Sequence, residues 1–72
     1  KTYAVRNEIY IKGQVSKDAR ALLFDIMGRK IGDYRLEPSD MNILYPNVQD
    51  GIYIIRIEDR GVITTERLYL GR

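Results

Sequence analysis

Apolar residues along this chain come in short bursts, and most of the bursts alternate. In Glu8 to Lys12, Ile9 and Ile11 point one way while Glu8, Tyr10 and Lys12 point the other, the period-two pattern of a half-buried β-strand. Ala19 to Ile26 is apolar on both parities, with Ala19, Ala21 and Leu23 against Leu22, Phe24 and Ile26. It reads as a central strand with cover expected on both faces. Gly51 to Glu58 is a second central strand: Tyr53, Ile55 and Ile57 share one face, Ile52 and Ile54 the other, and Arg56 turns the end of that second face toward solvent. Val62 to Leu70 sets Thr64, Glu66 and Leu68 against Ile63, Thr65, Arg67 and Tyr69. Thr2 to Val5, Lys30 to Leu36 and Met41 to Tyr45 are the remaining expected strands. No burst sustains helical spacing.

The punctuation agrees. Asp25-Ile26-Met27-Gly28 and Glu58-Asp59-Arg60-Gly61 each put an acid at the first turn position and a glycine at the fourth. Each fits a type I turn followed by a left-handed glycine and a bulge, closing an antiparallel hairpin. Gly32, inside its strand, suggests a bulge or a close backbone approach. Gly13 to Asp18 and Pro46 to Asp50 are connections, and Pro46 holds Tyr45 extended. Glu37 to Asp40 reads as a turn, with a short helical turn capped by Ser39 as the alternative. Two hairpins with a linking segment and further strands predict an all-β fold, a small immunoglobulin-like β-sandwich of about seven short antiparallel strands. A single curled sheet or partly open barrel is the alternative. The expected core is Ile9, Ile11, Leu22, Phe24, Ile26, Tyr53, Ile55, Ile57 and parts of the last strand; the pattern leaves the inward face of each central strand open.

Length limits what such a fold can do. Residues 1–72 make one domain. A chain of this size buries only about 60% of its unfolded surface, which implies modest stability and no room for a large cleft. It opens KTYAV, without methionine, as expected of a piece excised from a larger protein. Cysteine and histidine are both absent, which removes disulfides, thiolate metal sites and the usual near-neutral base. The net charge is +2, with both signs interspersed, whereas a nucleic-acid binder of this size would be more lopsided. No apolar run reaches the roughly 18 residues of a membrane-spanning helix.

Candidate chemistry concentrates in Leu22 to Gly32. A phosphate-binding loop would need several glycines and Lys-Ser/Thr at a strand-to-helix junction. Here a single glycine precedes Arg29-Lys30, and another strand follows. Asp25 as a catalytic acid would need a second carboxylate nearby, and the other aspartates fall in expected turns or exposed positions. Capping its own turn is the simpler role. Neither a calcium-loop series nor a serine-nucleophile pattern occurs. Neither catalytic residues, a metal site nor a cofactor is therefore expected. Of the six tyrosines, Tyr53 is expected in the core, while Tyr10, Tyr34 and Tyr69 can line a partly exposed face. That face suits cross-strand packing, a protein interface, or stacking on sugar or single-stranded RNA.

Leu22 to Ile31, read LLFDIMGRKI, resembles the first signature of the C-terminal sorting domain (type A) of the Bacteroidetes type IX secretion system. Gly51-Ile52-Tyr53-Ile54-Ile55-Arg56-Ile57, followed after the turn by Gly61 to Leu68, is similar to the second, and Glu8-Ile9-Tyr10-Ile11 to the opening strand. The likeness spans nearly the whole chain. It departs in one place: family members often carry Asn-Pro before the opening strand, where this chain reads Ala4-Val5-Arg6-Asn7.

The resemblance implies a non-catalytic signal at the end of a cargo protein. The domain would pass through the periplasm, be recognised by the outer-membrane translocon, shuttle and sortase proteins, and carry its N-terminal cargo domain to the cell surface or the medium. A sortase usually cuts upstream of such domains and attaches the cargo to anionic lipopolysaccharide. By position, Asp25, Gly28, Arg29 and Lys30 match the first signature, and Gly51, Tyr53, Gly61, Arg67, Leu68, Leu70 and Arg72 match the second signature and the tail. Gly28 and Gly61 are expected to shape hairpins, Tyr53 to anchor the core, and Arg29, Lys30, Arg67 and Arg72 to present charge. The rival readings are a passive immunoglobulin-like accessory or adhesion module, and a carbohydrate- or RNA-binding domain built on Tyr10, Tyr34 and Tyr69. An isolated domain can also dimerise through exposed strand edges.

Overall fold

The computed structural model describes residues Lys1–Arg72 as seven strands: β1 (Thr2–Val5), β2 (Glu8–Lys12), β3 (Arg20–Asp25), β4 (Lys30–Arg35), β5 (Met41–Leu44), β6 (Gly51–Asp59) and β7 (Val62–Leu70). Three match the expected bounds, and every other end lies within one residue of its expected place. All pairings are antiparallel, in a three-stranded sheet β1-β2-β5 and a four-stranded sheet β4-β3-β6-β7. The fold is thus the expected two-sheet sandwich and not a single curled sheet. Glu37 to Asp40 forms no helix.

The inward face of β3 differs from the expected core. Residues directly opposite in an antiparallel pair share a face, and β3 meets β6 with Ala21 opposite Ile57 and Leu23 opposite Ile55. Ala19, Ala21 and Leu23 therefore point inward, with Ile9, Ile11, Leu36, Leu44, Ile55, Ile57, Leu68 and Leu70. Tyr53 packs at the margin of this cluster. Leu22 is buried, but on the outer face, between its cross-strand neighbours Asp33 and Arg56. Phe24 lies beside it, with the Arg56 guanidinium 5.2 Å from its ring centre. Ile26 is 70% exposed in the turn. The expected second cover on β3 is not a layer of structure. Side chains of the neighbouring strands flank Leu22 instead, among them Arg56, which lies over Phe24 and pairs with Glu58 at 3.0 Å.

Two of the crossings between sheets are pinned by polar side chains. Asn42, buried on the inner face of β5, accepts a hydrogen bond from the Glu37 N–H at 2.8 Å and donates to the Glu37 carbonyl at 3.0 Å. The buried amide thereby satisfies the turn that enters its own strand. Ser16 donates its N–H at 3.0 Å and its hydroxyl at 2.5 Å to the Asp59 carboxylate, which ties the β2–β3 connection to the β6–β7 hairpin. Asp59 is thus occupied across the fold and does not cap its own turn.

The second hairpin also differs from its expected form. Asp59 pairs with Val62, leaving Arg60-Gly61 as a two-residue loop with φ of 53° and 82°. Positive φ at both positions is the type I′ turn of a tight hairpin, without the expected bulge. A third hairpin, not anticipated, joins β1 to β2: Val5 pairs with Glu8 across Arg6-Asn7, with Arg6 at φ 56°. The β3–β4 hairpin keeps its expected form. Gly28 donates to the Asp25 carbonyl at 3.0 Å, with φ 86°. The bulge suggested by Gly32 lies one residue before it. Leu23 pairs with Gly32 and Phe24 with Lys30, so Ile31 is the extra residue, and the Tyr34 ring covers Gly32.

The register predicts a sharp contrast between two neighbouring aliphatic residues of similar size. Leu23→Ala should cost about 2–5 kcal/mol, whereas Ile26→Ala should stay within about 0.5 kcal/mol. Urea unfolding of the two variants measures the difference, and equal costs would contradict the inward face assigned to β3.

Candidate functional site

The sharp turn after β3 organises itself around one carboxylate. Asp25 Oδ1 accepts hydrogen bonds from the Met27 N–H at 2.9 Å and the Arg29 N–H at 3.0 Å, and Oδ2 accepts from Arg29 Nε at 2.8 Å. An aspartate can reach these amides because it sits at the first position of a turn that points them back at it. The Arg29 backbone N–H, joined by its guanidinium and the Met27 N–H, holds the Asp25 carboxyl below the usual carboxylate range against the opposing effect of burial. This oxygen pair is the cap of its own hairpin. Gly28 completes the turn at a φ that an L side chain adopts only with strain, although a Cβ there would meet no atom within 4 Å.

The antiparallel registers then bring two separate sequence blocks together. Asp25 pairs with Tyr53, Tyr53 with Leu68, and Gly51 with Leu70. One end of the four-stranded sheet thus carries the β3–β4 turn, the start of β6 and the end of β7. Asp25, Met27, Arg29, Gly51, Ile52 and Tyr53 line a shallow depression of about 290 Å³ there. Tyr53 is fixed by donating its hydroxyl to the Gln49 carbonyl at 2.6 Å. Gly51 has ordinary space where a Cβ would stand, and nothing in its geometry requires glycine. Leu68 and Leu70 are buried in the core. Beyond them the Gly71 N–H donates to the Arg6 carbonyl at 3.0 Å, fastening the tail to the β1–β2 turn of the other sheet.

Not every matched residue joins this end. Gly61 lies in the hairpin at the far end of β6 and β7, nine-residue strands that span on the order of 25 Å. The four cations also divide. Arg29 is held by Asp25, and Lys30 Nζ lies 3.4 Å from Asp33, which Arg20 engages at 2.5 Å. Arg67 and Arg72 are exposed and form no ion pair. What the sequence reading missed is the apolar part of the surface. Ile26 and Met27 are 70% and 79% exposed at the turn, and Tyr69, opposite Ile52, is 64% exposed beside it. Two large apolar residues at the tip of a polar-flanked hairpin were the available signal.

The tyrosines do not converge. Tyr10 stacks on Tyr3, with ring centres 5.4 Å apart, on the outside of the three-stranded sheet. Tyr34 faces inward opposite Ala21, where burial pushes its phenol up. Tyr69 sits on the outside of the other sheet. No single platform of Tyr10, Tyr34 and Tyr69 is assembled. No group of three or more histidine, cysteine, aspartate or glutamate residues is placed to hold a metal ion. Comparison with protein-family models, curated proteins and solved structures finds no match to this chain.

Three depressed carboxyls make stability fall in acid. Besides Asp25, Asp33 is lowered chiefly by its hydrogen bond from Arg20, and Asp59 chiefly by the Ser16 hydroxyl. Each binds fewer protons folded than unfolded, so its contribution is fully present above the unfolded pKa of about 3.9 and is lost as pH falls through the lower folded value. The melting temperature should drop on acidification below about pH 4. Asp25→Asn should make that drop shallower, which a series of thermal melts across the acid range would measure. Gly28→Ala should cost about 1–2 kcal/mol through its left-handed backbone alone, as read by urea unfolding at neutral pH.

Proposed function

We propose that this chain is a non-catalytic folded sorting signal, which directs an attached N-terminal cargo domain across the outer membrane by type IX secretion. The observation that carries the reading is the meeting of two sequence blocks at one end of one sheet. Asp25 to Arg29 and Gly51 to Tyr53 are distant in the chain yet line the same depression, with the end of β7 alongside. These are the blocks that resemble the family's two signatures. A folded signal needs a surface that exists only after folding, and register pairing supplies one here.

In this reading the translocon, shuttle and sortase proteins read the sheet end. Exposed Ile26, Met27, Ile52 and Tyr69 provide apolar contact, and the unpaired Arg67 and Arg72 provide charge. Rim cations of this kind raise encounter rates and suppress wrong partners more than they add affinity. The domain passes through the periplasm and ends at the outer membrane, on the cell surface or in the medium with its cargo.

Fusion of the domain to a reporter in a type IX-competent cell tests this. The intact fusion should reach the surface, and the reporter alone should not. Arg67→Glu with Arg72→Glu should lower export by about tenfold, equivalent to roughly 1.4 kcal/mol of recognition, while the fold survives because both side chains are exposed. Equal surface delivery with and without the domain would refute the function. Unchanged export by the double variant would remove the two arginines from it.

A further inference from the structure

The four outermost strands of this sandwich are not equivalent, and β1 lies against part of β7. β4 is blunted by the bulge at Ile31 and by Lys30, Asp33 and Arg35. β1 and β5 are four residues each, and β5 runs out toward Pro46. β7 is nine residues long, keeps an unbroken register with β6, and contains no glycine, proline or lysine. Its charges are confined to Glu66 and Arg67, and a long edge with no bulge, proline or glycine is a template for pairing with another strand.

The direction of its free backbone groups follows from the hairpin. Residues flanking a two-residue loop exchange both backbone hydrogen bonds, and the pattern alternates from there. Val62, opposite Asp59, therefore turns its N–H and C=O toward β6. Ile63, Thr65 and Arg67 turn theirs to the open side. Every residue from Val62 to Arg67 is exposed; on the inner face Thr64 and Glu66 line an open depression of about 270 Å³ with Thr2 and Ile11 of the three-stranded sheet. Glu66 on the inner face stays hydrated there, so its charge does not oppose a neighbour.

We infer that this half of β7 is the interface for a second copy of the chain, the two strands pairing antiparallel about a two-fold axis through Thr65. Two conditions select that register. Opposed residues must share a face, so their numbers must have the same parity. All three outward-facing residues must also find partners. An axis at Thr65 sets Thr65 opposite Thr65 and Ile63 opposite Arg67, with Thr64 opposite Glu66 between them. No like charges meet, and β-branched residues fill the centre. An axis at Thr64 pairs Ile63 with Thr65 but sets Arg67 against Gly61, outside the strand. The result is one continuous eight-stranded sheet, made of four strands from each copy. The interface is short, so the dimer is weak and reversible. It stands independently of the sorting role.

Sedimentation of the chain from about 1 µM to about 1 mM should show a concentration-dependent dimer. Thr65→Pro removes the central outward N–H at an edge position that tolerates proline, and should leave a monomer. The chain has no cysteine of its own, which allows a second measurement that does not depend on that variant folding. Thr65→Cys places two thiols across a pair about 5.5 Å apart at Cα, within disulfide reach, and should cross-link on mild oxidation. Thr64→Cys is offset diagonally from its mate by about 7–8 Å and should not. A monomer at the highest concentration, a folded Thr65→Pro variant that still dimerises, or equal cross-linking of the two cysteine variants would overturn the inference.

Discussion

Leu23 and Ile55 face each other across β3 and β6, and neither exposes any surface. That pairing has consequences in both directions along the sheet. It sends Ala21 and Ile57 inward beside them, which makes the opposite parity of β3 an outer face. It also sets Asp25 opposite Tyr53, which is how the β3–β4 turn comes to stand beside the start of β6. A slip of one residue would send Leu22 and Phe24 inward and Leu23 out. The hydrophobic pattern alone opposes that slip weakly, because both parities of β3 are apolar. The pattern of β6 opposes it strongly, because its other parity contains Arg56. The domain has no disulfide to hold this register, so packing and turn chemistry do so.

Much of this was legible in the residues. Alternation located all seven strands, and the glycines, prolines and aspartates between them bounded the elements. The aspartate-to-glycine spacing described the β3–β4 turn correctly. What escaped was decided by partners. The inward face of β3 follows from β6 through the register, and could have been inferred by carrying Arg56 across the pair to Leu22. The hairpin at Arg6-Asn7 and the tight form of the expected one at Arg60-Gly61 escaped because arginine is a poor signal for a left-handed backbone, which costs roughly 1–2 kcal/mol in a residue with a Cβ. Asp59 read only as a residue of its turn. Ser16, far away in the chain, claims it instead. For the candidate site, the sequence indicated the two blocks but could not indicate that they touch. Ile26 was assigned to a core that the turn lifts it out of.

The matched residues perform different physical tasks. Asp25, Gly28 and Gly61 shape turns, and Leu68 and Leu70 fill the core. Arg29 spends its charge on Asp25, and Lys30 stands near Asp33. Only Arg67 and Arg72, with the apolar Ile26, Met27, Ile52 and Tyr69, offer both exposure and unspent chemistry to another molecule. A residue that resembles a family motif can therefore be there to build the surface, while the contacts are made by neighbours that the motif does not emphasise.

The two halves of β7 show the same separation within one strand. From Leu68 onward, the alternate side chains enter the core and the Gly71 N–H ties the tail to Arg6 in the opposite sheet. Removing this half would strip two buried leucines and the link between sheets, so its loss would damage any function by unfolding the domain. The half from Val62 to Arg67 contributes its ladder to β6 and little else, since all of its residues are exposed. Its backbone groups on the side away from β6 form an open edge. Truncation of the tail consequently reports on folding, whereas substitutions confined to exposed positions of β7 report on what the folded domain meets.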